Sequence, residues 1–416
     1  MEGVCGVLEE IDCDEGRVKE MEPLAVTAFS MVSALGVGLG PTLQHLAKGE
    51  SGLRPCDFPG ARLNTFIGRV KGLEETKITG RLSRFDCRNN RLAQMALRSD
   101  GFDLRVSEAR ERYRPERIAV YVGTSTSGLL SLEEAYRERD PDSGKLREDF
   151  NYKDTVNNFS VTDFVRRFLL LEGPAATIST ACSSSAKVFA SAFRMIDAGV
   201  CDAVVVGGVD TLCLTTLYGF NSLGLLSPEP CRPFAEGRKG LSIGEGAGFA
   251  LLEPMEGARG RGLVGLLGYG ESSDAFHMAT PHPEGMGAKL AISSAVKRAG
   301  ARLEGLDYVN LHGTGTLSND ESEDRAVGSS LGNEVPCSST KGWMGHCLGA
   351  AGIIESIISI LCIQQNLVPM TLNTRRVDPA CSINIVLATR RLKVKRVLSN
   401  SFGFGGSNCS LIFGSL

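Results

Sequence analysis

Gly173-Pro174-Ala175-Ala176-Thr177-Ile178-Ser179-Thr180-Ala181-Cys182-Ser183-Ser184-Ser185 is the stretch on which the reading turns. Its first half is apolar and β-prone. It runs into Ala186 to Ile196, where Ala186, Phe189, Phe193 and Ile196 recur with the period of one helical face and Gly199 supplies a stop. Cys182 therefore stands at a strand-to-helix turn. Unpaired N–H groups and the positive end of a helix dipole there are expected to favour thiolate, the nucleophilic form, over thiol. A free cysteine is ordinarily packing material. Whether this one is more depends on what other turns accompany it.

Several do. Ile118 to Val122 runs into Gly123-Thr124-Ser125-Thr126-Ser127-Gly128, and Tyr308 to Leu311 runs into His312-Gly313-Thr314-Gly315-Thr316. Ala203 to Val206 leads into Gly207-Gly208-Val209-Asp210, and Val397 to Ser401 leads into another glycine turn. Continuous Val/Ile/Leu runs separated by helical stretches are what sheets buried on both faces require, so the class is α/β, with a hint of two related halves. Folded sequence is expected to begin near Met21, with Leu24 to Phe29 as a strand leading to the glycine-rich turn Gly36 to Gly40. That turn lacks the register of a phosphate loop. Apolar periodicity stops between Glu253 and Gly262. The expected organisation is an acidic mobile extension over 1–20, an N-terminal half over 21–253 holding the cysteine, and a C-terminal half over 254–416.

With 416 residues and 42% hydrophobic content, the chain can bury a large core. Its net charge of -3 gives no global pull toward nucleic acid or membrane, so electrostatic recognition must be local. The 13 cysteines lack zinc-ribbon or CxxC spacing, and nothing resembles a secretory signal; both point to a reducing, cytoplasmic setting with free thiols. Ile353 to Val368, the most apolar late segment, is interrupted by Glu355, Gln364, Gln365 and Asn366 and reads as too polar to span a bilayer.

Five histidines occur, two of them in glycine-crowded turns: His312, and His346 in Lys341-Gly342-Trp343-Met344-Gly345-His346. A zinc site is disfavoured by ligand count and spacing, so no metal is expected. Papain-like hydrolysis would use one histidine and leave the other turn without a task. Asn400-Ser401-Phe402-Gly403-Phe404-Gly405-Gly406-Ser407-Asn408 could form an ordinary loop, or a turn able to aim an N–H at a reacting centre.

Thr180 to Ser184, His312 to Thr316, Lys341 to Gly352 and Asn400 to Asn408, in this order and at these separations, resemble the elongating β-ketoacyl-acyl-carrier-protein synthases. The resemblance extends over nearly the whole chain from Met21. It implies a thiolase-like, five-layered αβαβα sandwich of two similar halves, usually dimeric. It also implies decarboxylative carbon-carbon bond formation, with Cys182 as the acyl-accepting nucleophile and His312 and His346 as oxyanion donors. Lys341 matches the family's active-site lysine, and Glu323, with Asp320 beside it, matches an acidic partner for that lysine. The backbone N–H groups of Cys182 and Phe404 would form an oxyanion hole, and Phe402 and Phe404 resemble a gate. No cofactor is implied, since substrates ride on the phosphopantetheine arm of acyl carrier protein.

The initiating synthases of this fold carry asparagine at the second histidine, and thiolases use a second cysteine, so the His-His set argues against both. A non-catalytic, chain-length-determining partner subunit is the alternative; such partners have lost the active cysteine. Thr314-Gly315-Thr316-Leu317-Ser318 and Phe85 to Arg91 depart from the commonest pattern and bring to mind synthases of aryl-polyene or other specialised polyenoyl chains. Arg81, Arg84 and Arg88 lie where the family presents basic residues to the acidic carrier protein. A homodimer or a heterodimer with a related subunit is expected, with neither nucleic acid nor membrane as partner.

Overall fold

Valine-rich runs punctuated by glycine form ten strands of one continuous sheet path in the computed structural model, which describes residues 20–258, 263–300 and 305–416. The expected extension over 1–20 therefore lies, Glu20 apart, outside the described residues. The strands are labelled β1 (Leu24–Ser33), β2 (Ile118–Gly123), β3 (Ala175–Ile178), β4 (Ala203–Asp210), β5 (Gly246–Pro254), β6 (Val264–Ser273), β7 (Tyr308–Asn310), β8 (Cys337–Ser338), β9 (Arg396–Gly403) and β10 (Ser407–Ser415). Along the first half of the path the order is β3-β2-β4-β5-β1, and along the second it is β8-β7-β9-β10-β6. Each half thus repeats one pattern. Its second strand pairs in parallel with its third and fourth, and the fourth, fifth and first pair antiparallel. Among the described strands, the two half-sheets join where Leu24–Val26 of β1 pairs with Val264–Leu266 of β6.

Two central helices, α3 (Ser184–Asp197) and α6 (Ala351–Gln365), fill the space between the half-sheets. Val188, Phe189 and Ala192 of α3 pack in one cluster with Val204 and Val206 of β4, with Ile353, Ile354 and Ile357 of α6, and with Leu411 and Phe413 of β10. The opposite face of the first half-sheet is covered by α1 (Arg88–Arg98) and α2 (Phe159–Phe168), through Leu92, Ala96, Phe164 and Val165. That of the second is covered by α4 (Met286–Ala299) and α5 (Leu317–Leu331), through Ile292, Ala295 and Val327. The result is the five-layered αβαβα arrangement. Residues 203 to 206 are all apolar because alternate side chains enter different cores, Val204 and Val206 the central one, Ala203 and Val205 the outer one.

Because α6 is enclosed along its length up to Ile363, it is largely apolar on every face, with Glu355, Ser356 and Ser359 buried among its isoleucines. Leu348–Gln365, with mean hydropathy 1.5, is the one described stretch long and apolar enough to cross a bilayer, and 89% of it is buried in this layer. Fully burying one Ile or Leu contributes about 1.5–3 kcal/mol, so the isoleucines of α6 are a large share of what holds the halves together. The helices touch because residue 352 is glycine: a Cβ there would lie 2.4 Å from the Ala186 backbone nitrogen. Any larger residue would wedge α3 and α6 apart.

Candidate active site

Cys182 lies just past the end of β3, two residues before α3, and is 6% exposed. Ala181 before it adopts φ 53°, a left-handed conformation that costs a non-glycine residue about 1–2 kcal/mol. The serine run is consumed in holding this turn. Ser183 Oγ donates to Thr180 O, Ser184 Oγ donates to Ala181 O while accepting from Thr180 N–H, and Ser185 Oγ accepts from Ile353 N–H of α6.

The expectation that the helix start favours thiolate is corrected here. Burial pushes the Cys182 thiol up to about 11, with Lys341's charge and the Phe404 N–H acting in the opposite direction and Asp210 and Glu355 adding to the rise. The reason is geometric. The first-turn N–H groups of α3 turn inward, Ser184 N–H to Ala181 O and Ala186 N–H to Ser183 O, so the dipole is spent on the turn itself. At pH 7 an unassisted thiol of this kind is overwhelmingly protonated. Iodoacetamide inactivation should therefore climb about tenfold per pH unit between pH 7 and 9. A rate that is already flat at pH 7 would mean a preformed thiolate instead.

A base is at hand. His346 Nε2 is 3.0 Å from Cys182 Sγ. Burial, reinforced by the Lys341 charge, holds His346 well below the ordinary histidine range, and burial, Lys341 and His346 do the same to His312, so both rings are neutral at pH 7. The two rings stand edge to face, their centroids 5.3 Å apart. His312 is delivered by the end of β7. The turn after it is fixed by Glu323 of α5, which accepts from His312 N–H, Gly313 N–H and Asn400 Nδ2. Asp320 accepts from Gly315 N–H in the same turn and pairs with the buried Arg238 at 3.1 Å. Burial raises the Glu323 carboxyl to about 7 against these donors.

The expected Lys341–Glu323 pair is not what forms. Lys341 Nζ donates to Glu355 Oε1 at 2.5 Å, to the His312 carbonyl, and to His312 Nδ1 at 3.3 Å. Glu323 instead spends both oxygens on the backbone of the histidine turn. Glu355, 3% exposed and pushed up to about 7 by burial with Lys341 opposing, is a functional residue that sequence reading missed. Because Lys341 occupies Nδ1, His312 carries its proton on Nε2. For His346, Nδ1 has no hydrogen-bond partner among the described residues, so no neighbour fixes its tautomer, and Nε2 can offer either a lone pair or an N–H.

Cys182, His312 and His346 line one cavity together with Thr314, Thr316, Asn319, Thr280 and Phe404. Phe404 lines the same cavity as Cys182, and its ring stacks on Phe220 with centroids 5.5 Å apart. Phe402 lies 5.9 Å from the His312 ring. Positive φ at Gly405 (80°) and Gly406 (74°) lets this loop reverse. It is fastened across the mouth by Gly405 N–H to Met278 O and by Asn408 Nδ2 to Asp274 Oδ1.

Ligand atoms of Cys182, His312 and His346 also lie within 4.8 Å of one another, a proximity that sequence spacing conceals. The set is a poor metal site. Ligation through His312 Nε2 would move its proton to Nδ1, against the Lys341 ammonium.

The three arginines separate. Arg88 is corrected out of the docking surface. It is enclosed between Glu74 and the buried Glu245, with Nη2 2.7 Å from Glu245 Oε1. Arg81 and Arg84 are exposed and share a surface depression with Arg166, Arg167 and Leu170, residues not singled out from sequence.

Residues 21–258 match the family described as Beta-ketoacyl synthase, N-terminal domain, and residues 264–375 match Beta-ketoacyl synthase, C-terminal domain. Nodulation protein E of Rhizobium meliloti (strain 1021) is 37% identical over 71% of this chain and 75% of that protein. The 3-oxoacyl-[acyl-carrier-protein] synthase 2 of Synechocystis is 33% identical over 95% of this chain and 98% of its own length. Among solved structures, the ketosynthase ApeO in complex with its chain length factor ApeC from Xenorhabdus doucetiae superposes with TM-score 0.86 at 37% identity, covering 95% of this chain and 98% of that one. The ishigamide ketosynthase/chain length factor gives the same TM-score at 27% identity and covers 95% of this chain and 100% of that one.

Proposed function

The chain belongs to the β-ketoacyl synthase family, and from that premise we propose that it joins an acyl group held on Cys182 to a malonyl unit carried by acyl carrier protein, releasing CO2 and giving a 3-oxoacyl-acyl-carrier-protein. The observation that carries this reading is the 3.0 Å approach of His346 Nε2 to Cys182 Sγ, with His312 against His346 at the floor of an open cavity.

In the first step the thiol proton passes to His346 Nε2 as sulfur attacks the acyl-carrier thioester; the carrier thiolate leaves and takes that proton. The tetrahedral oxyanion is held by the N–H groups of Cys182 and Phe404. In the second step a malonyl thioester lies against the His312 and His346 N–H groups. The electron pair of the bond to the departing CO2 becomes an enolate, whose oxygen these two donors stabilise. The enolate carbon then attacks the Cys182 thioester, and the cysteine leaves as thiolate and is reprotonated. Each oxyanion donor is worth about 3–4 kcal/mol of barrier. Neutral rings suit both steps, because a neutral imidazole has one N–H to donate and keeps one lone pair, which on His346 takes the thiol proton in the first step. Lys341 holds the His312 tautomer, Glu355 balances Lys341, Glu323 and Asp320 hold the turn, and Phe402 and Phe404 gate the cavity. No cofactor enters.

Similarity to ApeO, a ketosynthase in complex with its chain length factor, supports work as a dimer, in particular a heterodimer with such a factor; the aryl-polyene assignment rests on Thr314 to Ser318 and Phe85 to Arg91, and the cytoplasmic one on the cysteine pattern. Incubation with acyl and malonyl carrier proteins should yield a product two carbons longer. The non-catalytic partner reading predicts no acyl-enzyme at all.

The carrier is an acidic protein, and its docking face is proposed at Arg81 and Arg84, extended by Arg166 and Arg167. Arg84→Glu should raise KM for the acyl carrier protein about five- to tenfold and flatten its salt dependence, leaving turnover of a small acyl-thioester mimic unchanged. An unaltered KM would remove this face from the docking surface.

A further inference from the structure

At the end of β4, Asp210 is 0% exposed and takes no part in the steps above. Its carboxylate is wrapped by donors from two places. Thr124 Oγ1, Ser125 N–H, Ser125 Oγ, Thr126 N–H and Thr126 Oγ1, all in the turn that follows β2, reach it at 2.5–2.8 Å. Gly349 N–H, from the turn that follows His346, reaches Oδ2 at 2.6 Å. A carboxylate has about four lone-pair sites, and here they are filled to capacity without a cation. Anions bound this way by short N–H and O–H donors fix those donors tightly.

Gly349 is three residues beyond His346. The chain between them is constrained: Ala350 N–H returns to Cys347 O, and Leu348 is held at φ 51°. The contact also requires glycine, since a Cβ at 349 would fall 2.8 Å from Asp210 Oδ2 and 2.9 Å from the Ser125 nitrogen. On the other side, Thr124 N–H bonds Ile178 O, the last residue of β3 before the Cys182 turn. One carboxylate thereby links the backbone that carries the nucleophile to the backbone that carries its base.

We propose that Asp210 is a positioning residue for the condensation, clamping the Gly349 turn so that His346 Nε2 stays in register with Cys182 Sγ and with the oxyanion that forms beside it. This rests on the reading of Cys182 and His346 as the condensing pair, which wild-type activity tests separately.

The clamp and the charge of Asp210 act in opposite senses on different observables. The groups that bear on the thiol are Lys341, His312, His346, Asp210 and Glu355. Among these, Asp210's anion opposes thiolate formation. Removing that charge should make Cys182 easier to alkylate while condensation becomes slower, with the denaturant midpoint unchanged; a loosened fold would also expose the buried thiol and speed its alkylation, but it would lower that midpoint. Gly349→Ala keeps the charge and displaces the turn. It should lower kcat for condensation at least tenfold, leave KM for the malonyl thioester within about twofold, and leave the iodoacetamide rate between pH 7 and 9 as in the wild type. Asp210→Asn should lower kcat similarly and raise that alkylation rate, and Asp210→Glu should recover part of the kcat. Ser125→Ala deletes one donor while retaining the charge, gives the Gly349→Ala pattern in smaller measure, and serves where Asp210→Asn does not fold. A fall in kcat with alkylation kept or raised, at an unchanged denaturant midpoint, supports the clamp. Unchanged kcat, or kcat and alkylation lost together, overturns it.

Discussion

Cys182→Ala lowers condensation by at least about 10⁴-fold, the scale seen when a covalent nucleophile is deleted, while slow decarboxylation of malonyl-acyl-carrier-protein persists. The two outcomes separate because they draw on different groups. Acyl transfer needs the sulfur. Loss of CO2 needs only the N–H donors of His312 and His346, and the Lys341 and Glu323 contacts that hold His312 do not pass through Cys182. Assaying released CO2 beside 3-oxoacyl product distinguishes them. Equal loss of both would mean that the histidines act only through the thiol.

Lys341→Met has the second large effect, and it falls on stability as well as rate. Lys341 is 1% exposed and its three donors satisfy Glu355, the His312 carbonyl and His312 Nδ1. Deleting one partner of a buried ion pair leaves an uncompensated charge and typically costs about 3–5 kcal/mol. Denaturant unfolding should show a loss of that size. Adding Glu355→Gln should restore much of the stability by removing the stranded carboxylate. It should not restore activity, because nothing then holds the His312 proton on Nε2; a kcat about 10²–10³-fold below wild type is expected of the double variant. Recovery of both together would reduce Lys341 to a structural ion.

Much of this site was legible because its chemistry sits in short local signals. Cys182, His312 and Phe404 each occupy a turn that follows an apolar run and stands out as glycine, serine and threonine after valine and isoleucine, whereas His346 stood out by the glycines of Lys341 to Gly352. The class of fold followed from the same runs, which strands buried on both faces require. The strand order β3-β2-β4-β5-β1 did not follow, since pairings such as Ala25 with Glu253 join residues far apart in sequence.

The misassignments share that cause. Glu355 read as a polar interruption of an apolar helix, and only the fold brings it under Lys341. Arg88 read as one more cation of a basic run, yet its partner Glu245 lies 157 positions away. The thiolate expectation failed because a helix start is visible in sequence and burial is not. Asp210 left a faint signal, a lone acid ending the run Ala203 to Val209, which is buried along its whole length.

The central claim is that Cys182 carries the growing chain between two half-reactions. Its most direct measurement is intact and peptide mass spectrometry of the enzyme after incubation with acyl-acyl-carrier-protein, followed by a chase with malonyl-acyl-carrier-protein. The account predicts one acyl adduct, mapped to the peptide containing Cys182, that discharges on the chase as 3-oxoacyl-acyl-carrier-protein appears in equal amount. An adduct on another residue, no adduct, or an adduct at Cys182 that survives the chase would contradict it.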